Sequence, residues 1–171
     1  WVYSFSNLNN LNYAAQLIAR SNELIDYISS PAHLRTFSEN RLFARISEIN
    51  NLSSLNLSHI VMSADGEILF KDKSYSPDEN EIKQIFDLKQ DTVELSLDQK
   101  SIINIKTLRY DDQQLEGPTA ITKGYLITTL PISTFQEKIP NLVSISLLEK
   151  TDRQNKIKLT LNNKTNSQIP I

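Results

Sequence analysis

The stretch His59-Ile-Val-Met-Ser-Ala-Asp-Gly-Glu-Ile-Leu-Phe70 places two short apolar runs on either side of Asp65-Gly66. Asp-Gly accepts the positive φ angles that a two-residue hairpin turn demands, so the segment predicts two directly joined antiparallel strands. A lone hairpin is barely stable in water and needs further strands or a covering helix. What precedes this one is helical in pattern, and that order excludes a chain built of strands only.

From Asn7 to Ile28 the apolar residues Leu11, Ala14, Ile18, Ile25 and Ile28 recur at three- and four-residue steps. Polar Ser21 interrupts the seam, and Arg20, Asn22, Glu23 and Asp26 occupy the other side. Ser29-Ser30-Pro31 ends the helix, because proline disfavours α geometry in the residue before it. The seam suits packing on the chain's own core or, as a stalk, pairing with a second copy. In the next helix Thr36 and Glu39 have the spacing of a capping box. Leu42, Phe43, Ile46 and Ile49 form one apolar face, and Asn50-Asn51 is expected to stop it. Leu52, Leu55 and Leu57 then lead into the hairpin.

Beyond the hairpin, Ser76-Pro77-Asp78-Glu79 predicts a helix start, with Ser76 as N-cap, proline at the first helical position and acids at the positive end of the dipole. Ile82, Ile85, Phe86 and Leu88 are its buried side. Thr92–Leu97, Ser101–Tyr110 and Thr119–Leu130 have strand composition, and Pro131 closes the last. A short helix Ser133–Ile139, strands Leu142–Leu148 and Lys156–Asn162, and a polar tail from Asn163 to Ile171 follow. Adjacent strands with short turns favour an antiparallel sheet, with helices before, within and after it: an α+β fold.

Composition narrows the function. The net charge of −2 leaves no basic footprint for nucleic acid. With no cysteine, disulfides, thiolate metal sites and Cys nucleophiles are excluded. No apolar run approaches the ~18 residues of a membrane span. The sequence starts at Trp1 without a signal-peptide pattern, so it reads as a segment of a longer protein. Asn-x-Ser/Thr triplets at Asn51, Asn56 and Asn163 are what an Asn-rich chain yields by chance.

The lead-in Leu11–Ile28, the hairpin His59–Phe70, the helix from Ser76 and the strand Gly124-Tyr-Leu-Ile-Thr-Thr-Leu-Pro-Ile132 occur in an order that resembles the extracytoplasmic PAS-like (Cache-type) sensor domains of bacterial transmembrane receptors. The resemblance covers most of Asn7–Ile139. It implies a PAS-like central antiparallel sheet flanked by a long N-terminal helix and shorter helices. The division it implies is a helical stalk with second helix at 1–57, a sensor core at 58–139, a strand pair at 140–162 and a tail at 163–171. It also implies a periplasmic, signal-sensing domain of an inner-membrane histidine kinase or diguanylate cyclase, working as a homodimer. The combined Arg, Trp, Tyr and Asp pattern of the amino-acid-binding Cache receptors is absent, so amino-acid sensing is not carried over.

Residue chemistry agrees with a non-enzymatic domain. The two histidines, His33 and His59, are expected in surface or capping roles, and Ser58 and His59, as strand neighbours, point to opposite faces. Asp111-Asp112 sits in a polar turn, and Asp65 and Asp72 lack metal-loop spacing. Three glycines leave no phosphate-cradling loop. No catalytic residue, metal or cofactor is assigned. On Thr119–Leu130, Ala120, Thr122, Gly124, Leu126 and Thr128 share a face small enough for a ligand or a closely packed helix, and Ile121, Lys123, Tyr125 and Ile127 share the other. Ile103 and Ile105 are out of phase with Leu108 and Tyr110, which predicts a bulge near Lys106-Thr107. Arg109, Tyr110, Lys123 and Tyr125 are the candidate contacts for an anionic or polar ligand, Arg pairing with carboxylates and Tyr joining a ring to a hydroxyl. The competing possibility is that Arg109 and Lys123 only snorkel from strand ends. A protein-interaction module sensing a periplasmic partner and a secreted hydrolase are the alternative functions.

Overall fold

The computed structural model describes residues 2–72, 77–88, 91–97, 100–110, 120–136, 142–150 and 155–161. The N-terminal apolar pattern is cut in two at one residue. Helix α1 runs Val2–Ala19 and helix α2 Asn22–Ser29, so the single helix expected over 7–28 is two. Ser21 lies between them in extended conformation. Its Oγ donates to the Ile18 carbonyl at 2.7 Å and accepts from the Leu24 N–H at 3.3 Å, ending one helix and capping the next. A 3-10 turn, Ala32–Leu34, follows Pro31 and runs straight into helix α3, Arg35–Ser53. Because that helix begins before Thr36, the Thr36–Glu39 capping box does not form, and no side chain caps the start. Nor do Asn50-Asn51 stop it: Ser54, left-handed at φ 55°, ends it.

Strands β1 (Ser58–Ser63) and β2 (Ile68–Lys71) form the expected hairpin, but with four residues, Ala64 to Glu67, between them and not two. Gly66 N–H donates to Ser63 O at 3.1 Å, and Ser63 N–H to Glu67 O at 2.8 Å. Gly66 alone in this loop carries a positive φ, 91°, so Asp65 keeps an ordinary conformation. Helix α4 spans Glu79–Leu88. Ser76, the expected cap, lies outside the described residues. Asp78 does the capping, its Oδ1 accepting from the Glu81 N–H at 2.9 Å. Strands β3 (Thr92–Leu95), β4 (Ser101–Tyr110) and β5 (Ile121–Pro131), then helix α5 (Ser133–Gln136), complete the main body. Strands β6 (Leu142–Lys150) and β7 (Asn155–Leu161) pair separately. The tail 163–171, Asp111-Asp112 and the Asn163 triplet lie outside the described residues.

The main sheet is antiparallel in the order β2-β1-β5-β4-β3, and the fold is the expected α+β type with a PAS-like central sheet. Both its faces are covered, and strand alternation sorts the residues. Val61, Phe70, Ile102, Leu108, Tyr110, Leu126 and Leu130 join Leu11, Ala14, Ile18, Leu24, Tyr27, Ile28, Leu42, Ile46 and Ile49 of α1 to α3 in one core. Ile60, Met62, Ile103, Ile105, Tyr125 and Ile127 face Ile85 of α4 on the other side. The two phases on β4 therefore need no bulge at Lys106-Thr107. The register shift lies instead between Leu108 and Arg109, which face Gly124 and Thr122, leaving Lys123 without a counterpart on β4.

This packing settles the use of the lead-in seam. Each fully buried Leu or Ile contributes about 1.5–3 kcal/mol, and Leu11, Ile18 and Leu24 are wholly inaccessible within their own chain. Turning them toward a second copy would cost several such terms, so the seam is not a dimer surface. Phe43, expected on the buried face of α3, is 51% exposed, and Leu52 is 74% exposed.

Gly124 sits where β1, β5 and α2 converge. A Cβ there would collide with the Met62 carbonyl oxygen and come within 2.9 Å of Ile28 Cδ1. Gly124→Ala should lower unfolding stability by more than about 3 kcal/mol, because the obstructing atom is backbone and cannot step aside. Ser21→Ala should cost only about 1 kcal/mol, the worth of a lost cap. Urea unfolding of the two variants measures both, and equal effects would contradict the packing described.

Candidate functional site

Among the described residues, the sheet and α4 share an apolar layer. Ile60, Ile103, Ile105 and Ile127 pack beneath Ile85, and the Phe86 and Tyr125 rings meet edge to face with centroids 6.3 Å apart. Tyr125, a candidate ligand contact, is buried in this layer. On the opposite face the small residues of β5 admit a helix, since Gly124 receives Ile28 of α2.

That face also carries a buried polar row. His59 and Thr128 are cross-strand neighbours and both wholly inaccessible, so His59 is not the surface residue expected. Asn50 Nδ2 donates to the Leu57 carbonyl at 3.4 Å, which turns its Oδ1 toward His59 Nε2 at 2.8 Å. Nε2 then carries the proton, and in the neutral ring Nδ1 accepts from the Thr128 hydroxyl at 3.0 Å. These bonds tie α3 to the sheet, and they explain why α3 runs on through Asn50: the amide is satisfied by tertiary partners. Asp72 Oδ1 accepts from the His59 backbone N–H at 2.6 Å. The ring is thus wholly inaccessible, with both nitrogens engaged by the fold. His33 is exposed on the 3-10 turn.

The remaining candidates separate. Arg109 and Tyr110 border a cleft of about 40 Å³ where the end of α1 meets β4, together with Gln16, Arg20, Asp91 and Lys106. Lys123 and Tyr125 do not line it. The Tyr110 hydroxyl donates to the Ala19 carbonyl at 2.6 Å, fixing the end of α1 to the sheet. Arg109 Nη2 donates to the Ala120 carbonyl at 3.2 Å, which holds the guanidinium across the strand pair while leaving it other N–H donors. Arg20 and Arg109 are exposed and Lys106 is half-buried. Asp91, the one acid among the described residues lining the cleft, accepts the Thr107 N–H at 2.7 Å. Among the described residues, Arg20, Lys106 and Arg109 thus line the cleft with one carboxylate already engaged by the backbone, a lining of net positive charge with room for a few waters or the charged end of a small anion. Gln16, Arg20, Asp91 and Lys106 carry no sequence signal for this, being polar residues from three distant segments. Among the described residues no group of three or more His, Cys, Asp or Glu could hold a metal.

The fold and cleft define a PAS-like α+β domain with a small cationic site at a helix–sheet joint. Comparison with known protein families and with curated protein sequences finds no match.

Burial pushes the Tyr110 phenol well above its usual range. Tyr27, which donates to the Leu69 carbonyl at 2.7 Å, is also raised, first by burial and then by Glu39, with Arg35 acting in the opposite direction. Both phenols hold their protons more tightly folded than unfolded. Their contribution is therefore complete below pH about 10, the ordinary phenol value, and is lost as pH climbs toward the folded-state values. Tyr110→Phe should cost about 1 kcal/mol at pH 7 through the lost hydrogen bond, and should shallow the stability decline above pH about 10. Urea midpoints at pH 7 and in the alkaline range check this, and an unchanged alkaline slope would contradict it.

Proposed function

We propose that this chain is the extracytoplasmic, signal-sensing domain of a membrane-bound bacterial receptor of the histidine kinase or diguanylate cyclase type. The observation that carries the reading is the cationic cleft formed jointly by the end of α1 and β4 within a PAS-like fold. A ligand there would touch Gln16 and Arg20 on one side and Lys106 and Arg109 on the other. Its affinity would therefore depend on how the lead-in helix sits against the sheet. Only such a difference in affinity between two arrangements lets a ligand shift their populations. The chemistry suits a small carboxylate or phosphate: Arg109 offers a planar fork and Lys106 a point charge.

The apolar layer that Ile60, Ile103, Ile105 and Ile127 form with Ile85 of α4 supports a second reading, a protein-interaction module that senses a partner without a small-molecule pocket.

Thermal unfolding with succinate or inorganic phosphate, against sodium chloride at equal ionic strength, separates the two. At about ten times the dissociation constant the midpoint should rise by about 3–5 °C. The Arg109→Ala/Lys106→Ala variant should lose that rise. A rise retained in the variant would remove the cleft from the account, and no rise with either anion would favour the interaction module.

A further inference from the structure

The solvent face of α3 carries a sequence that is complementary to itself when reversed. Phe37, Arg41, Ala44, Glu48 and Leu52 follow one another at three- and four-residue steps, so they form one stripe along the helix. All five are exposed, Phe37 at 80% and Leu52 at 74%. The stripe lies away from Leu42, Ile46 and Ile49, which face the core. From either end it reads apolar, charged, small, charged, apolar, and the two charges are opposite in sign.

We infer that this face binds a second copy of the chain, α3 against α3 in antiparallel orientation. A twofold axis passing between Ala44 and Arg45 sets Phe37 opposite Leu52 of the second copy, and Arg41 opposite its Glu48. The symmetry repeats both contacts, as an isologous interface requires. Ala44 lies beside the axis, where its small side chain lets the helices approach. Leu34, one turn before Phe37 and 44% exposed, widens the apolar end. A parallel pair would instead set Arg41 against Arg41 and Glu48 against Glu48, so the charges select the orientation as well as the partner. The bonds these residues make within the chain do not compete strongly. Arg41 meets Asp26 at 3.8 Å and Glu48 meets Arg45 at 2.9 Å, both at the surface, where such pairs are worth little. One helix pair is a small interface, so the dimer is weak and reversible, formed at the about millimolar effective concentrations that tethering provides. The inference is independent of the anion cleft.

Sedimentation equilibrium of the full chain up to about 1 mM tests it in the concentration regime that tethering reaches. The wild-type mass should rise toward that of a dimer, and Phe37→Glu should remain monomeric. Arg41→Glu and Glu48→Arg should each associate at least about tenfold more weakly, because each places like charges face to face twice. An equimolar mixture of these two variants should recover association, since one copy then presents two acids and the other two bases. The Arg41→Glu/Glu48→Arg variant should recover it alone. All four are surface changes, and an unfolding midpoint for each establishes that the fold is intact. Monomer at every concentration would overturn the inference. So would association that Phe37→Glu leaves unchanged, or a mixture no stronger than its components.

Discussion

The absence of a side chain at position 124 governs how this molecule is assembled. β1 and α2 both come down on Gly124, the former through the Met62 carbonyl and the latter through Ile28, and any Cβ would push them apart. Because α2 is seated there, Tyr27 reaches the Leu69 carbonyl across the sheet, and its ring meets Phe70 edge to face. The break at Ser21 then directs α1 over β4, where Tyr110 takes hold of the Ala19 carbonyl. The register shift beside Gly124, with Lys123 as the extra residue, turns the end of β5 at the same level. The cleft lies at the end of this sequence of contacts, so a displacement at the helix–sheet joint and a change in cleft shape are one event.

Much of the architecture was legible because the strands alternate cleanly and the apolar steps of the helices are regular. What escaped has local physical causes. Ser21 stands out as a flaw in a seam, but periodicity does not reveal that one hydroxyl can end a helix and cap the next. Asn50-Asn51 has a helix-stopping composition, yet the Asn50 amide finds His59 and Leu57, and that tertiary compensation outweighs local preference. Phe43 follows Leu42 in the apolar pattern but turns outward, because α3 presents only a narrow stripe to the core. His59 resembles a surface histidine beside Ser58 until β5 supplies Thr128 on one side and α3 supplies Asn50 on the other.

The candidate site was legible in half. Arg109 and Tyr110 stand at the end of a long strand, where chemistry-bearing side chains are naturally noticed, and they do border the cleft. Lys123 and Tyr125 share a strand and a phase in the sequence, but the register shift removes one from regular pairing and the other packs on Phe86. The cleft's remaining groups come from α1, the turn after it and the approach to β3. No spacing rule links segments so far apart; only the fold brings Arg20 to Lys106.

We propose that a small anion binds where α1 meets β4. Amide chemical-shift mapping during titration with phosphate or succinate tests it residue by residue. The largest shifts should fall at Gln16–Ser21 and Lys106–Tyr110, with Ile82–Leu88 unmoved. Shifts centred on Ile82–Leu88 and Tyr125, or none at the helix–sheet joint, would contradict it.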